Sequence, residues 1–277
     1  MHRAAIGLFD SGIGGLTVAR ELARRLPHED LIYLGDTARL PYGTKSASTV
    51  IRYSERAVDL LCRYPIKALV IACNTASAHA LTALRSHTEL PVLGVIEPGA
   101  RAAVAASRGG RLGIMATEAT VRSGAYQRAI GQLEGLGEAA LADRCLALAA
   151  PLLVPLAEEG WVDHPVTRLT LETYLRPFVD AGCDTLVLGC THYPVMKPLI
   201  RDVLSQRFGL DDGALALVDS AEAVTDELEQ LLDTKTLRAP HRDGRYSFFC
   251  TDAPERFSRV GTTFFGGDVA PVFPVDL

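Results

Sequence analysis

Lysine is scarce in this chain. It stands only at positions 45, 67, 197 and 235 of 277 residues, and no basic run forms anywhere. Formal net charge is −5, from 28 Lys and Arg against 33 Asp and Glu. A surface of this kind lacks the positive footprint that phosphate backbones require, so nucleic acid is not an expected partner. The arginines are spread along helical stretches, the pattern of a solvated face. Apolar runs are short, and none approaches the ~20 residues needed to span a bilayer. No CxxC and no cluster of several Cys and His at metal-ligand spacing occurs, so no metal centre is expected. The first ten residues run straight into a strand without a cleavage-type segment, so no signal peptide and a cytoplasmic location are expected. The six cysteines at 62, 73, 145, 183, 190 and 250 then read as free thiols rather than a disulfide framework.

What is present is an ordinary globular composition, 48% hydrophobic and 22% charged, in a chain long enough for one large domain or two of ordinary size. Apolar runs of strand length alternate with amphipathic helical stretches, the mark of a largely parallel sheet covered by helices. Residues 4–9, 31–35, 68–72 and 92–96 read as strands of a first series. Residues 97–99, Glu-Pro-Gly, read as a crossover. A second series follows, with strands at 111–116, 145–150 and 185–188. A loop is expected from Pro151 to Trp161. The tail is expected to return to the first unit, with strands at 214–218, 246–250 and 262–265, a polar turn at 240–245, a helix cap at 219–222, and Phe257 packed among the strands. The fold class is therefore α/β with two units, 1–97 plus 211–277 and 98–210.

Two cysteines have matching surroundings. The run 68–75, Ala-Leu-Val-Ile-Ala-Cys-Asn-Thr, delivers Cys73 to the carboxyl end of a buried strand. The run 185–192, Thr-Leu-Val-Leu-Gly-Cys-Thr-His, does the same for Cys190. Ligands of open α/β sheets gather at such strand ends. A single cysteine there is more often a small buried hydrophobe. Duplication, with polar company at Asn74, Thr75, Thr191 and His192, favours a chemical pair. Two thiols on opposite sides of one pocket can take a proton from one face of a carbon and return one to the other.

The loop Asp10-Ser11-Gly12-Ile13-Gly14-Gly15 joins a strand to a helix, a geometry that presents free N–H groups to anions. Its match to a dinucleotide loop is imperfect, and Asp10 would repel a pyrophosphate. A small ligand carrying both ammonium and carboxylate groups fits better than a dinucleotide; a plain tight turn is the bland alternative. His192 beside Cys190 can exchange protons with the thiol or be a satisfied surface histidine. Thr75 and Thr191 can bind a carboxylate or cap the following helix. Glu158 and Glu159 are candidate extra acids or a solvated loop face.

Taken in order, residues 7–16, Gly35-Asp36, Pro41-Tyr42-Gly43, 72–77, Pro155-Leu156 through Glu159-Gly160, 188–194 and Val218-Asp219-Ser220 resemble glutamate racemase, of the cofactor-independent aspartate/glutamate racemase superfamily. The likeness covers nearly the whole chain. It implies two pseudo-symmetric flavodoxin- or Rossmann-like α/β domains with the site in the cleft between them, and a tail belonging to the first. It implies interconversion of L- and D-glutamate at Cα with no cofactor, supplying D-glutamate for peptidoglycan. By this analogy Cys73 acts on D-glutamate and Cys190 on L-glutamate, with Asp10 and His192 assisting. Ser11, Tyr42, Gly43, Asn74, Thr75 and Thr191 bind substrate, and Thr117 and Thr120 resemble the family's carboxylate contacts. A homodimer is expected. One departure is Ala150, where many members carry cysteine. The lead before Asp10 is short, so activation by a cell-wall precursor through an N-terminal extension is not expected.

The α-proton is very weakly acidic, and racemases often draw on pyridoxal phosphate as an electron sink. No lysine here has a convincing Schiff-base context. The alternative is a dry site with donors placed on both carboxylate oxygens. Rival readings are an aspartate or hydantoin racemase, a cysteine hydrolase using one thiol, and a non-enzymatic binding protein.

Overall fold

The computed structural model describes residues 4–240 and 243–277. The leader reading falls partly on residues 1–3, and the turn at 240–245 partly on 241–242, outside the described residues. In chain order the first half holds β1 (Ala5–Asp10), α1 (Leu16–Arg25), β2 (Leu31–Gly35), α2 (Ala47–Leu61), β3 (Ile66–Ile71), α3 (Asn74–His87), β4 (Val92–Gly94) and α4 (Ile96–Ala106). The second holds β5 (Arg111–Ala116), α5 (Glu118–Ser123), α6 (Ala125–Glu134), α7 (Glu138–Arg144), β6 (Cys145–Ala149), α8 (Leu153–Glu158), α9 (Pro165–Asp180), β7 (Cys183–Gly189), α10 (Lys197–Phe208), β8 (Ala216–Asp219) and α11 (Ser220–Thr234). The tail adds β9 (Tyr246–Cys250), α12 (Pro254–Phe265) and β10 (Val272–Pro274).

The strands form two sheets, a six-stranded one in the order β10-β9-β2-β1-β3-β4 and a four-stranded one in the order β6-β5-β7-β8. Every pairing is parallel. Parallel sheets are covered on both faces, which is why β1, β3 and β7 are buried along their whole length and read as continuous apolar runs. Within each sheet four strands repeat one order. The sequence β2-β1-β3-β4 of the first matches β6-β5-β7-β8 of the second. Under this correspondence β3 is equivalent to β7, so Cys73 and Cys190 follow equivalent strands.

The same repeat explains a difference from the sequence reading. Ala216–Asp219 was expected in the first unit, but it pairs with β7 at Thr185 to Leu188. It is the fourth strand of the second sheet, as β4 is of the first. Tail strands β9 and β10 do join the first sheet beside β2. Three local expectations also change. Residues 97–99 lie inside α4 rather than in a crossover. Residues 153–158 form a helix where a loop was expected. Residues 262–265 end α12 rather than forming a strand, and its apolar face buries Phe257 and Phe264. The cap at Asp219 is present, its carboxylate accepting from the Ala221 N–H at 2.9 Å.

The halves meet at the carboxyl ends of their sheets. Thr17 on α1 donates to the Thr191 carbonyl at 3.0 Å. Gly14 is the point of closest approach: a Cβ there would lie 2.3 Å from His192 Nδ1 and 2.5 Å from Thr191 Oγ1. Only glycine leaves room for the opposite half at this loop. No helix among the described residues is long and apolar enough to cross a membrane.

Candidate active site

In open α/β sheets ligands sit beyond the strand ends where chain order reverses, here between β1 and β3 and between β5 and β7. Register brings these ends level, with Phe9 beside Ile71 and Ala116 beside Gly189. A cavity of about 360 Å³ opens there between the halves, within the usual range for small-ligand sites. The first half lines it with Ser11, Tyr42, Gly43, Cys73, Asn74 and Thr75, and the second with Thr117, Cys190, Thr191 and His192. No Lys or Arg is among the described lining residues.

Cys73 occupies the N-cap of α3, its sulfur accepting from the Ala76 N–H at 3.4 Å and lying 3.4 Å from Ser11 Oγ. Burial pushes its thiol up to about 12, and the nearby Asp10 carboxylate adds to the rise; the Ser11 hydroxyl and Ala76 N–H oppose it only in part. Its thiolate is therefore costly to form at neutral pH. Cys190 has different company. His192 Nδ1 lies 3.9 Å from its sulfur, and His192 Nε2 donates to Glu158 Oε1 at 3.0 Å. Burial opposes charge on this imidazole, but the Cys190 sulfur and the Glu158 carboxylate outweigh it and raise it to about 10. The Phe264 ring meets the imidazole edge-on, centroids 5.2 Å apart.

Asp10 and Thr120 were singled out as site residues, but both lie behind the described cavity wall. Asp10 is fully buried. It accepts from the Gly12 N–H at 2.9 Å and the Thr191 hydroxyl at 3.4 Å, so its oxygens are turned onto the loop and the opposite half. Burial raises its carboxyl above the ordinary value, against the pull of His192. Thr120 is buried in a hydroxyl triangle with Thr75 at 3.3 Å and Thr117 at 2.9 Å, Thr75 and Thr117 being 2.9 Å apart. Neither Thr75 nor Thr191 provides the helix cap considered for it: Cys73 caps α3, and Thr191 lies before a short 3-10 turn.

Further side chains support the cavity wall. Asp36, fully buried, accepts from Tyr42 Oη at 2.6 Å, Arg39 at 2.9 Å and Thr251 at 2.9 Å, and so fixes the Tyr42 ring at the cavity. Asn74 Nδ2 donates to Tyr126 Oη at 2.8 Å, which lies 3.0 Å from Ser220 Oγ. The other Asn74 atom, Oδ1, is buried without a partner. Glu158 faces the cavity and His192, whereas Glu159 lies on an outer cavity with Arg256. Several of these links join residues far apart in the chain, such as Asp36 with Thr251 and Asn74 with Tyr126, and Tyr126 and Thr251 stood in no segment that the sequence flagged.

Two parallel sheets carry a thiol at each of two equivalent strand ends facing one cleft, the frame of an α/β isomerase. The profile of the Asp/Glu/Hydantoin racemase family matches residues 14–228, and the chain belongs to that family of racemases. Over 99% of its length it is 49% identical to a glutamate racemase of Geobacter metallireducens, covering 97% of that protein. It superimposes on glutamate racemase isoform RacE1 of Bacillus anthracis with a TM-score of 0.91 at 35% identity, covering 100% of this chain and 99% of that one. The glutamate racemase of Francisella tularensis in complex with D-glutamate gives a TM-score of 0.87 at 33% identity, with 100% and 98% covered.

Proposed function

We propose that this chain interconverts L- and D-glutamate through two thiols, with no cofactor. The observation that carries the reading is that Cys73 and Cys190, at equivalent strand ends of the two sheets, line one cavity. Glutamate rather than another acid is favoured by the relatives' names over the full length and by the D-glutamate complex of the Francisella protein.

In one direction the Cys73 thiolate takes the α-proton of D-glutamate while the Cys190 thiol delivers one to the opposite face. In the other the roles exchange. Negative charge then develops on the α-carboxylate. The lining offers it hydroxyls from Ser11, Thr75, Thr117 and Thr191 and the N-terminal N–H groups of α3, neutral donors aimed at a charge that grows in the transition state. The substrate ammonium brings a positive charge close to Cys73, offsetting part of the cost of its thiolate. The unpartnered Asn74 Oδ1 supports this, because a buried acceptor is ordinarily satisfied. His192 moves or holds the proton at the Cys190 sulfur, and Asp10 acts from behind the wall through Thr191 and the loop. Tyr42 and Gly43 shape the substrate's distal side, with Thr120 holding Thr75 and Thr117 in place.

By the family resemblance, the reading also assigns the D-glutamate to peptidoglycan and the reaction to the cytoplasm. The exposed apolar side chains of Leu152, Trp161, Val166 and Leu169 support self-association as a homodimer, which sedimentation equilibrium tests.

The deciding experiment is polarimetry on Cys73→Ala and Cys190→Ala with L-glutamate and, separately, L-aspartate. Wild type is expected to racemise glutamate and spare aspartate, and each variant to lose racemisation. Cys73→Ala is expected still to eliminate a leaving group from Cβ of an L-glutamate analogue, since Cys190 remains. Full racemase activity in Cys73→Ala overturns the two-thiol reading.

A further inference from the structure

Helix α12 packs on α1 and on the tail strands of the first sheet, yet it reaches the proton-handling group of the second half. Arg256 in its first turn donates through Nη2 to Glu158 Oε2 at 3.0 Å. The other oxygen of that carboxylate, Oε1, accepts from His192 Nε2 at 3.0 Å. His192 Nδ1 lies 3.9 Å from the Cys190 sulfur. A line of contacts thus runs from a half-exposed guanidinium, through a carboxylate that is only 10% exposed, to a buried imidazole and a thiol. Among the described residues Glu158 has no other side-chain partner, so its two oxygens are shared between one group of each half.

We propose that Arg256 is a positioning residue for racemisation: by anchoring Glu158 across the cleft, it keeps that carboxylate on His192 and thereby holds the imidazole beside Cys190. The inference rests on the reading of His192 as the group that handles the Cys190 proton. A carboxylate held at both oxygens by charge-assisted bonds has a fixed plane. Held at one oxygen only, it can rotate toward the outer cavity of about 370 Å³ that Glu158 borders with Arg259 and Thr263. The charged and titratable groups that face His192 are Cys190 on its own segment, Asp10 from β1, Glu158 from α8 and, through Glu158, Arg256 from α12. Glu158 is the anion in direct contact with the imidazole. Its departure lowers the proton affinity of His192. Loss of the guanidinium charge alone, with Glu158 kept in place, raises it. The direction of the shift therefore separates an anchor from a mere neighbouring charge.

The test is the pH dependence of kcat/KM for Arg256→Ala, Arg256→Lys, Glu158→Gln and the Arg256→Ala/Glu158→Gln double variant. Arg256→Ala is expected to lower kcat about three- to tenfold, the range for loss of a charged hydrogen bond that is partly solvent-screened, with KM little changed. Its alkaline limb is expected to move to lower pH, in the direction of Glu158→Gln but by less. Arg256→Lys, which keeps an ammonium near the carboxylate, is expected to restore most of the limb's position. In the Glu158→Gln background, Arg256→Ala is expected to shift nothing further. If Glu158→Gln moves the limb while Arg256→Ala leaves it in place or moves it to higher pH, the anchoring role is wrong. If Glu158→Gln itself leaves the limb unmoved, the reading of His192 has failed instead.

Discussion

His192 touches more of the functional argument than its place in the sequence discloses. Beside Cys190 it could be read as a proton partner or as a satisfied histidine. The structure shows it buried rather than on the surface, with Glu158, Asp10 and Phe264 reaching it from three other elements. Its raised value carries a consequence for stability. A group whose proton is held more tightly when folded stabilises the fold fully below its unfolded value near 6.5, and that stabilisation is lost as pH rises through about 10. Urea unfolding of wild type and His192→Gln across pH 6 to 11 is therefore expected to show the wild-type advantage shrinking over that window. A constant difference across it would mean that the folded imidazole is not held protonated. Cys73 is the converse case. Its position was legible from a strand run and a cap-like Asn-Thr pair. Its reluctance to ionise was not, since that comes from burial and from Asp10, 63 residues away in the chain and adjacent in space.

Elements that carry their own signal were read well. A buried parallel strand writes itself as an unbroken apolar run, so β1, β2, β3, β5 and β7 were placed within a residue or two. The short strands β6 and β9 were placed as closely, but α8 and the end of α12 were not. The last turn of α12, Thr-Thr-Phe-Phe, has strand-forming residues, and packing of Phe257 and Phe264 against the first half overrides that preference. Helix α8 holds an internal proline at 155, tolerated because it falls in the first turn, where a backbone N–H would have no intrahelical acceptor. At the opposite end of β7 from the cavity, Asp184 gathers the loop before β5. It accepts from Ser107 at 3.0 Å and from the N–H groups of Arg108 and Gly110, both at 2.8 Å. Burial works against its charge, but these donors together with Thr185 outweigh it and hold the carboxyl below its ordinary value. Its stabilisation is present above about pH 4 and lost as pH falls through the depressed value. Asp184→Asn is expected to cost about 1–3 kcal/mol in chemical denaturation and to leave racemisation unchanged, being remote from the cavity. A fall in kcat at full stability would contradict that separation.

At the scale of the whole molecule the halves are fitted to each other at one small point. Gly14 faces Thr191 and His192 with no room for a methyl group. Gly14→Ala is expected to push the His192 ring and Thr191 back, because side-chain ends yield before the packed loop does. Displacements of about 1 Å at a reacting group cost on the order of a hundredfold in rate. Racemase assays should therefore show a drop of that size, while the thermal midpoint falls by only a few degrees. Retained activity would mean that the cleft can open at Gly14 without moving the imidazole.

The sequence by itself determined the α/β class, the doubling of a strand–thiol device, and the small polar residues around it, because strand burial, caps and tight turns are properties of neighbouring residues. Family resemblance extended the expectation to further site residues. Tertiary structure alone decided that Ala216–Asp219 closes the second sheet, that Asp10 and Thr120 stand behind the wall rather than on it, and that Asp36, Tyr126 and Arg256 bond to Tyr42, Asn74 and Glu158. The reason is physical. Hydrogen bonds and field effects act over a few ångströms, and parallel sheets bring together strand ends that the chain keeps dozens of residues apart.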